Sequence, residues 1–397
     1  MSETMKQHLI DPEICIRCYT CEMTCPIEAI THDDQNVVVD VAKCNFCMDC
    51  IPVCPTGSID EWRVVREPYS LEEQFSWSEL PAQEDFDDGP EGGDGGGIEA
   101  LDEAMAALLA EAHRGAGGRS RPPATASKPT VNLYTLGKPA IAKVQGSYRL
   151  TTEESGSDVR HVILDFGAQP FPVLEGQSVG IIPPGTDADG KPHLPRLYSV
   201  SSPRDGERPN FNNISLTVKH DPHGRCSSYI CGLEKGDEVR VTGPFGSTFL
   251  MPDDPSARLL MICTGTGSAP FRAFTMRRQR TATGATGDMV LFFGARSPDS
   301  LPYFGPLAKV PDRLLHKHLV FSRLADGARE YVQDRMITEA ATVAEMIADP
   351  KTHIYVCGLR GMEEGVERAF AEIAGDAVWT SLRDAMRNEG RYHVETY

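Results

Sequence analysis

No window of the 397-residue chain is apolar for long enough to span a membrane. The opening residues, M-S-E-T-M-K-Q-H, have no apolar core of the signal-peptide kind, so export is not expected and the cytoplasm is the expected compartment. Basic residues vanish over one stretch: residues 67–113 hold 14 acids and no Lys or Arg. Residues 1–66 hold 11 acids against 5 Lys or Arg, and residues 114–397 hold 32 against 34. The net charge of −18 therefore belongs to the N-terminal part, and the larger remainder is near neutral. Such a surface speaks against nucleic acid as a partner. A basic protein patch, on a partner or on the rest of this chain, complements it. Cysteine is sparse outside residues 15–54: Cys226, Cys231, Cys263 and Cys357 are scattered, which does not make a disulfide framework.

Within residues 15–54 cysteine is dense. C-I-R-C-Y-T-C-E-M-T-C-P occupies 15–26 and C-N-F-C-M-D-C-I-P-V-C-P occupies 44–55, two copies of C-x2-C-x2-C-x3-C-P. Three closely spaced thiolates can take three corners of one iron–sulfur cube, but the fourth lies too far round to close it. The runs resemble those of two-cluster bacterial ferredoxins, in which the fourth Cys crosses to the other cluster. The resemblance implies that Cys15, Cys18, Cys21 and Cys54 hold one [4Fe–4S] cluster, and that Cys44, Cys47, Cys50 and Cys25 hold the second. Pro26 and Pro55 then turn the chain away after each crossing ligand. Zinc sites more commonly use two Cys-x2-Cys pairs.

Four segments are expected. Residues 1–66 form the cluster module, with strands at 37–39 and 59–65. Residues 67–130 read as an acidic, Gly-rich linker, since E-D-F-D-D-G-P-E-G-G-D-G-G-G at 84–97 is too polar to bury itself. Inside it Ile98, Leu101, Met105, Leu108, Leu109 and Ala112 recur at the spacing of a short amphipathic helix. Residues 131–256 carry short strands at 159–166, 178–182, 214–218 and 238–242 between Gly/Pro turns, which predicts an antiparallel barrel. Residues 257–397 alternate strands (258–263, 289–294, 318–322, 353–358) with helices (269–280, 363–374), which predicts a doubly wound parallel sheet. The expected fold class is thus multidomain, α+β followed by α/β.

Four motifs follow one another in the larger part: R-L-Y-S at 196–199, G-R-C-S-S at 224–228, G-P-F-G at 243–246 and T-G-T-G-S-A-P-F-R at 264–272. A Gly turn that opens a helix suits a pyrophosphate, although each motif alone is also found in ordinary turns. Together and in this order they resemble the plant-type ferredoxin–NADP+ reductase family over residues 138–397. The resemblance implies an antiparallel FAD barrel followed by an NADP-binding α/β domain. It places Arg196 on the FAD pyrophosphate, Tyr198 against the isoalloxazine and Ser199 near flavin N5. Cys226 and Ser227 fall at the pyrophosphate, and Lys219 adds a positive charge for the phosphates. Gly265, Thr266 and Gly267 cradle the diphosphate of the nicotinamide cofactor.

S-R-L-A-D-G-A-R-E-Y-V-Q at 322–333 bears on the choice of nicotinamide cofactor. Recognising a 2′-phosphate needs cations, a hydroxyl and an aromatic face for adenine. Ser322, Arg323, Arg329, Tyr331 and Gln333 match the family's positions for that task, so NADPH is expected. C-G-L-R-G-M-E-E-G-V at 357–366 and the terminal Y-H-V-E-T-Y resemble the family's nicotinamide pocket and aromatic cap. Cys357, Glu395 and Tyr397 would line the catalytic site with Ser199, and Tyr397 would cover the flavin until nicotinamide displaces it.

NADPH gives up two electrons together, an iron–sulfur cluster accepts one, and flavin can do both. The expected order is NADPH, FAD, the two clusters and an outside acceptor, with the linker letting the cluster module shuttle. A two-cluster ferredoxin fused ahead of a plant-type reductase is similar to the reductase components of benzoyl-CoA epoxidases. That resemblance implies a separate di-iron oxygenase as acceptor in aerobic benzoate breakdown, and no residue of this chain is expected to read benzoyl-CoA. Two other readings stand beside it: the same parts running towards NADPH formation, and a non-enzymatic electron carrier.

Overall fold

The computed structural model describes residues 5–81 apart from 14, 48, 52, 55–57, 60, 61 and 66. It also describes residues 121–396 apart from 187–192, 282–285, 325, 326 and 328. The chain divides into two compact units, Met1–Asp94 and Gly95–Tyr397. The expected helix at 98–112, the Gly-rich stretch at 84–97 and Tyr397 lie outside the described residues.

In the first unit, β1 (Met5–His8) pairs antiparallel with β4 (Trp62–Val65), and β2 (Ile30–His32) with β3 (Val37–Val39). A one-turn helix, α1 (Thr20–Thr24), sits inside the first cysteine run. Ile10, Ile30, Val37, Val39 and Ile59 form a small core against which the cysteines pack. So few apolar side chains give little burial free energy, and bound metal contributes much of the stability of domains this small.

The folded part of this unit extends past residue 66, where the linker was expected to begin. Ser70 and Glu73 form a capping box at the start of α2 (Leu71–Phe75). The side-chain amide of buried Gln74 then behaves as a strand neighbour: its Nε2 donates to Val39 O at 3.0 Å, and Val39 N donates to its Oε1 at 3.2 Å. Asn36 Nδ2 donates to the carbonyls of Phe75 and Trp77 at 3.0 and 2.8 Å.

The second unit begins with six antiparallel strands: β5 (Ala140–Arg149), β6 (Val159–Asp165), β7 (Ser178–Ile182), β8 (Arg196–Ser199), β9 (Asn213–Lys219) and β10 (Glu238–Phe245). Their order is β8-β7-β10-β5-β6-β9, and a bridge between Val200 and Leu216 joins the two edges into a barrel. Along β5, buried Ala140, Ala142 and Val144 alternate with exposed neighbours, the period-two pattern of a strand with one face inward. α3 (Arg225–Cys231) packs Cys226, Ile230 and Cys231 into the barrel core.

Five parallel strands follow: β11 (Arg258–Thr264), β12 (Met289–Ala295), β13 (His316–Phe321), β14 (Thr352–Gly358) and β15 (Tyr392–Thr396), in the order β13-β12-β11-β14-β15. R-L-L-M-I-C-T reads as a continuous apolar run because β11 is central and covered on both faces. The covering helices are α4 (Ala269–Thr281), α5 (Phe304–Ala308), α6 (Val332–Thr338), α7 (Ala340–Ala348), α8 (Arg360–Ala374) and α9 (Asp376–Asn388), and the sheet has an apolar cluster on each side. Antiparallel barrel and parallel sheet are as the sequence predicts. The expected linker also ends early here. Gln177 Nε2 donates to Thr130 O at 2.9 Å and Asp253 N to Thr125 O at 3.1 Å, which holds residues 125–130 on this unit.

Candidate functional site

The eight cysteines of the first unit fall into two sets, each with three from one run and one from the other. Cys25, from the first run, lines one small cavity with Cys44, Cys47 and Cys50, closed below by Ile30 and Val39. Cys54, from the second run, stands near Cys18 and Cys21, close enough to disfavour their ionisation, and Cys15 stands near Cys21 as well. Burial first, and then neighbouring Cys54, Cys15 and Cys18, push the Cys21 thiol up to about 11 despite a hydrogen bond from Glu22 N. Burial, with Cys44, Cys47 and Cys21 adding to it, pushes Cys50 up to about 12. Exposed Cys18 moves the other way, lowered by its hydrogen bond with Thr20. Crowded, half-buried thiols cannot ionise together without cations, and iron supplies that charge to thiolate ligands. The donor set and the crossed grouping therefore fit iron–sulfur clusters.

In the second unit, β8 carries R-L-Y-S along the barrel wall. Period two puts Arg196 and Tyr198 on one face of the strand and Leu197 and Ser199 on the other. Tyr198 packs on the barrel core with its hydroxyl against the Cys226 thiol, and burial raises its phenol far above the ordinary value. The Arg196 guanidinium is exposed and has no side-chain partner among the described residues. Cys226 departs from the expectation. Its side chain is buried in the barrel and its Sγ donates to Ile181 O at 3.4 Å, so backbone alone can meet a ligand at that position. Ser227 Oγ turns back to Gly224 O at 3.1 Å, capping its own turn. A Cβ on Gly224 would lie 2.5 Å from that hydroxyl and would turn it aside.

At the end of β11 the chain makes a tight turn, Gly265–Ser268, and enters α4. Gly265 has φ +55, and a Cβ on Gly267 would meet Cys357 O at 2.2 Å. Only glycine lets this loop lie against the end of β14. Above the turn opens a cleft of about 750 Å³, within the usual range for ligand sites. Lys219, Gly265, Thr266, Ser322, Arg323, Arg329, Tyr331 and Gln333 all line it, so these predicted residues meet in one place. Lys219, Arg323 and Arg329 have no side-chain partner among the described residues. Thr264 Oγ1 beside them is buried and makes no hydrogen bond among the described residues. Unpaired cations and an orphaned hydroxyl around a cleft of this size fit a phosphorylated dinucleotide.

Arg296 also lines this cleft, and sequence reading missed it. The available signal was an Arg just past the apolar run of β12, at the strand end where parallel sheets bind ligands. Cys357 and Glu395 stand opposite one another across β14 and β15, and Cys357 pairs with Cys263 on its other side. Burial drives the Cys357 thiol far up, with Glu395 adding to the effect. Burial also raises the Glu395 carboxyl to about 8.

Residues 7–55 match a family profile described as a 4Fe-4S dicluster domain, and residues 261–368 match one described as an oxidoreductase NAD-binding domain. The chain is 39% identical over 287 residues to the ferredoxin–NADP reductase of Synechocystis sp., covering 67% of this chain and 70% of that protein. It is 32% identical over 288 residues to the chloroplast ferredoxin–NADP reductase of Spinacia oleracea, covering 68% and 78%. The solved ferredoxin–NADP+ reductase of Plasmodium falciparum superposes with a TM-score of 0.54 at 26% identity, over 67% of this chain and 99% of that one. The form of that protein solved with 2′P-AMP gives 0.55 at the same identity.

Proposed function

Because the chain belongs to the ferredoxin–NADP reductase family, we propose that it is an NADPH-dependent reductase delivering electrons through FAD and two [4Fe–4S] clusters to a separate oxygenase. The observation that supports this reading is the presence, in one chain, of two cysteine runs that meet, with Cys25 beside Cys44, Cys47 and Cys50 in one cavity, and of a cleft walled by cations that have no side-chain partner among the described residues. FAD, when bound, converts the two-electron chemistry of NADPH into single-electron steps. The residues supply orientation. Arg196 and the α3 turn hold the FAD pyrophosphate, Tyr198 backs the isoalloxazine and Ser199 faces its N5. Thr266 and the glycines beside it seat the NADPH diphosphate with Lys219. Ser322, Arg323, Arg329 and Tyr331 hold the 2′-phosphoadenosine half, in keeping with the 2′P-AMP carried by the Plasmodium structure. Cys357 keeps water from the nicotinamide ring, and Tyr397 caps the flavin between turnovers.

The acceptor is the di-iron benzoyl-CoA epoxidase of aerobic benzoate breakdown. Its support is the order of parts, cluster module ahead of reductase, together with an acidic N-terminal part suited to a basic docking face. No helix among the described residues is long and apolar enough to cross a membrane, and the proposed compartment is the cytoplasm. The test is anaerobic mixing with NADPH, and separately NADH, followed by flavin absorbance and cluster EPR. NADPH-specific bleaching followed by reduced-cluster signals is expected. Bleaching that leaves the clusters oxidised would favour flow in the opposite sense, towards NADPH, and no bleaching would leave an electron carrier.

Glu395 makes the reaction sensitive to pH. With its carboxyl raised to about 8, the folded protein keeps the proton through neutrality and loses it as pH climbs past that value. The rate of flavin reduction is expected to fall above about pH 8 as this hydrogen-bond donor to the site ionises. Glu395→Gln keeps a donor that cannot ionise, so its profile should be flat there. A break that persists in the Gln variant would assign the titration elsewhere. The same linkage lowers stability as pH rises from the ordinary carboxylate range to about 8, and not beyond.

A further inference from the structure

Helix α4 starts where the dinucleotide loop ends, and three of its arginines reach acids of the barrel lobe. Arg277 Nε stands 4.0 Å from buried Glu175, and Arg280 pairs with Asp205 at 2.9 Å. Arg272 donates from both Nη atoms to Glu207, each bond 2.7 Å long. Its Nη1 also donates to Ser201 O at 2.8 Å, two residues past Ser199 on the flavin strand.

Glu207 is gripped from the barrel side as well. Ser215 Oγ on β9 donates to it at 2.9 Å, and His161 Nε2 on β6 lies 3.4 Å away. The Arg272 guanidinium covers the Tyr303 ring at 4.9 Å. The Tyr303 hydroxyl lies 2.6 Å from Thr217 Oγ1 and 2.8 Å from His161 Nδ1. Burial works to raise the Glu207 carboxyl. His161 at 3.4 Å and the hydrogen bonds and charge of Arg272 outweigh it and hold Glu207 well below the ordinary carboxylate range. A buried bidentate charge-assisted pair, braced by Ser215 and by the Ser201 carbonyl, has one favoured geometry and resists sliding.

We propose that Arg272 is a positioning residue for the reaction: it ties the first turn of the nucleotide-lobe helix to the end of the flavin strand and so sets how nicotinamide meets flavin. A surface ion pair could not do this, because water would replace it at small cost. The seam joins β6, β9, the Glu207 loop, the Tyr303 loop and α4, and all but α4 and the Tyr303 loop belong to the barrel. Loss of Arg272 leaves the nucleotide site built but free to tilt, and a misplacement of about 1 Å between reacting groups can cost roughly 10²-fold in rate.

The inference rests on R-L-Y-S being the flavin strand. Its test compares Arg272→Lys and Arg272→Met in the FAD-loaded full chain. Lys keeps a positive charge beside Glu207 but cannot span Glu207 and Ser201 together, and it covers the case of a Met variant that does not fold. Flavin bleaching at saturating NADPH is expected to slow roughly 10- to 100-fold. The long-wavelength nicotinamide–flavin charge-transfer absorbance should weaken, while affinity for 2′-phospho-AMP, which fills the adenosine half alone, stays unchanged. Arg258→Met serves as the stability control. It removes pairs to Asp288, Glu345 and Asp349 at 2.8, 2.9 and 3.1 Å, at the far end of β11 from the dinucleotide loop. It should lower the thermal midpoint without slowing bleaching. Unchanged bleaching in Arg272→Lys, or equal slowing in Arg258→Met, overturns the positioning role. A wild-type chain that NADPH does not bleach overturns the reductase reading instead.

Discussion

Replacing Cys25 with Ala is expected to lower bound iron from about eight to about four atoms per chain, with the FAD content unchanged. Cys25 belongs by sequence to the first run, yet it faces Cys44, Cys47 and Cys50 across their shared cavity. The cluster lost should therefore be the one held by the second run. Paired variants make this decisive. Cys25→Ala combined with Cys44→Ala should remove no more iron than either change alone, because both damage one cluster. Cys25→Ala combined with Cys18→Ala should remove nearly all of it. The reverse pattern, with Cys25 and Cys18 acting as one unit, would mean that each run closes its own cluster. NADPH should still bleach the flavin in every variant, since the second unit has its own core and its own cleft. Delivery to a one-electron acceptor should fail in the variants without iron.

The cysteine grouping was legible because ligand spacing is local: twelve residues contain a whole half-site. The crossing of Cys25 and Cys54 came from resemblance, not from spacing. The parallel strands β11, β12 and β14 were legible for a different reason. Each is buried on both faces, so the middle of its sequence is a run of apolar residues. Several strands at edges or beside the site were not. M-K-Q-H, R-L-Y-S and Y-H-V-E-T pair as β1, β8 and β15 although their side chains suggest loop. Position in the sheet, not propensity, decides them. Helix α9, which buries Trp379 and Met386 on one side, passed unread within a polar sequence. Cleft residues were found where a motif marked them, whereas Arg296 and the Arg272–Glu207 seam were not. The latter joins residues 65 apart in the chain, and no local pattern announces such a pair. The mismatch at Cys226 has the same origin: a motif reports a position but not which way the side chain turns.

Removing both Arg323 and Arg329 should change the choice of nicotinamide cofactor more than the rate of the reaction. The two guanidinium groups line the cleft beside Ser322 and Tyr331 without side-chain partners among the described residues, so the double Ala variant breaks no bond seen there and should fold as the parent does. A charge-assisted bond to a phosphate contributes about 1.5–3 kcal/mol when shielded, and less where water reaches it. For two exposed arginines a combined loss of about 2–3 kcal/mol is reasonable, which raises the KM for NADPH roughly 30- to 150-fold. The 2′-phosphate is remote from the reacting carbon and is held equally before and during the reaction. Its loss is uniform binding, which leaves kcat nearly intact. NADH has no group for these arginines, so its KM should barely move and the preference for NADPH should collapse. Salt gives an independent check. The parent's KM for NADPH should rise with ionic strength as the charges are screened, and the variant's should be nearly flat. If both cofactors lose equally, the arginines hold the diphosphate and Arg296 becomes the candidate for the 2′-phosphate. If neither changes, discrimination lies outside this loop.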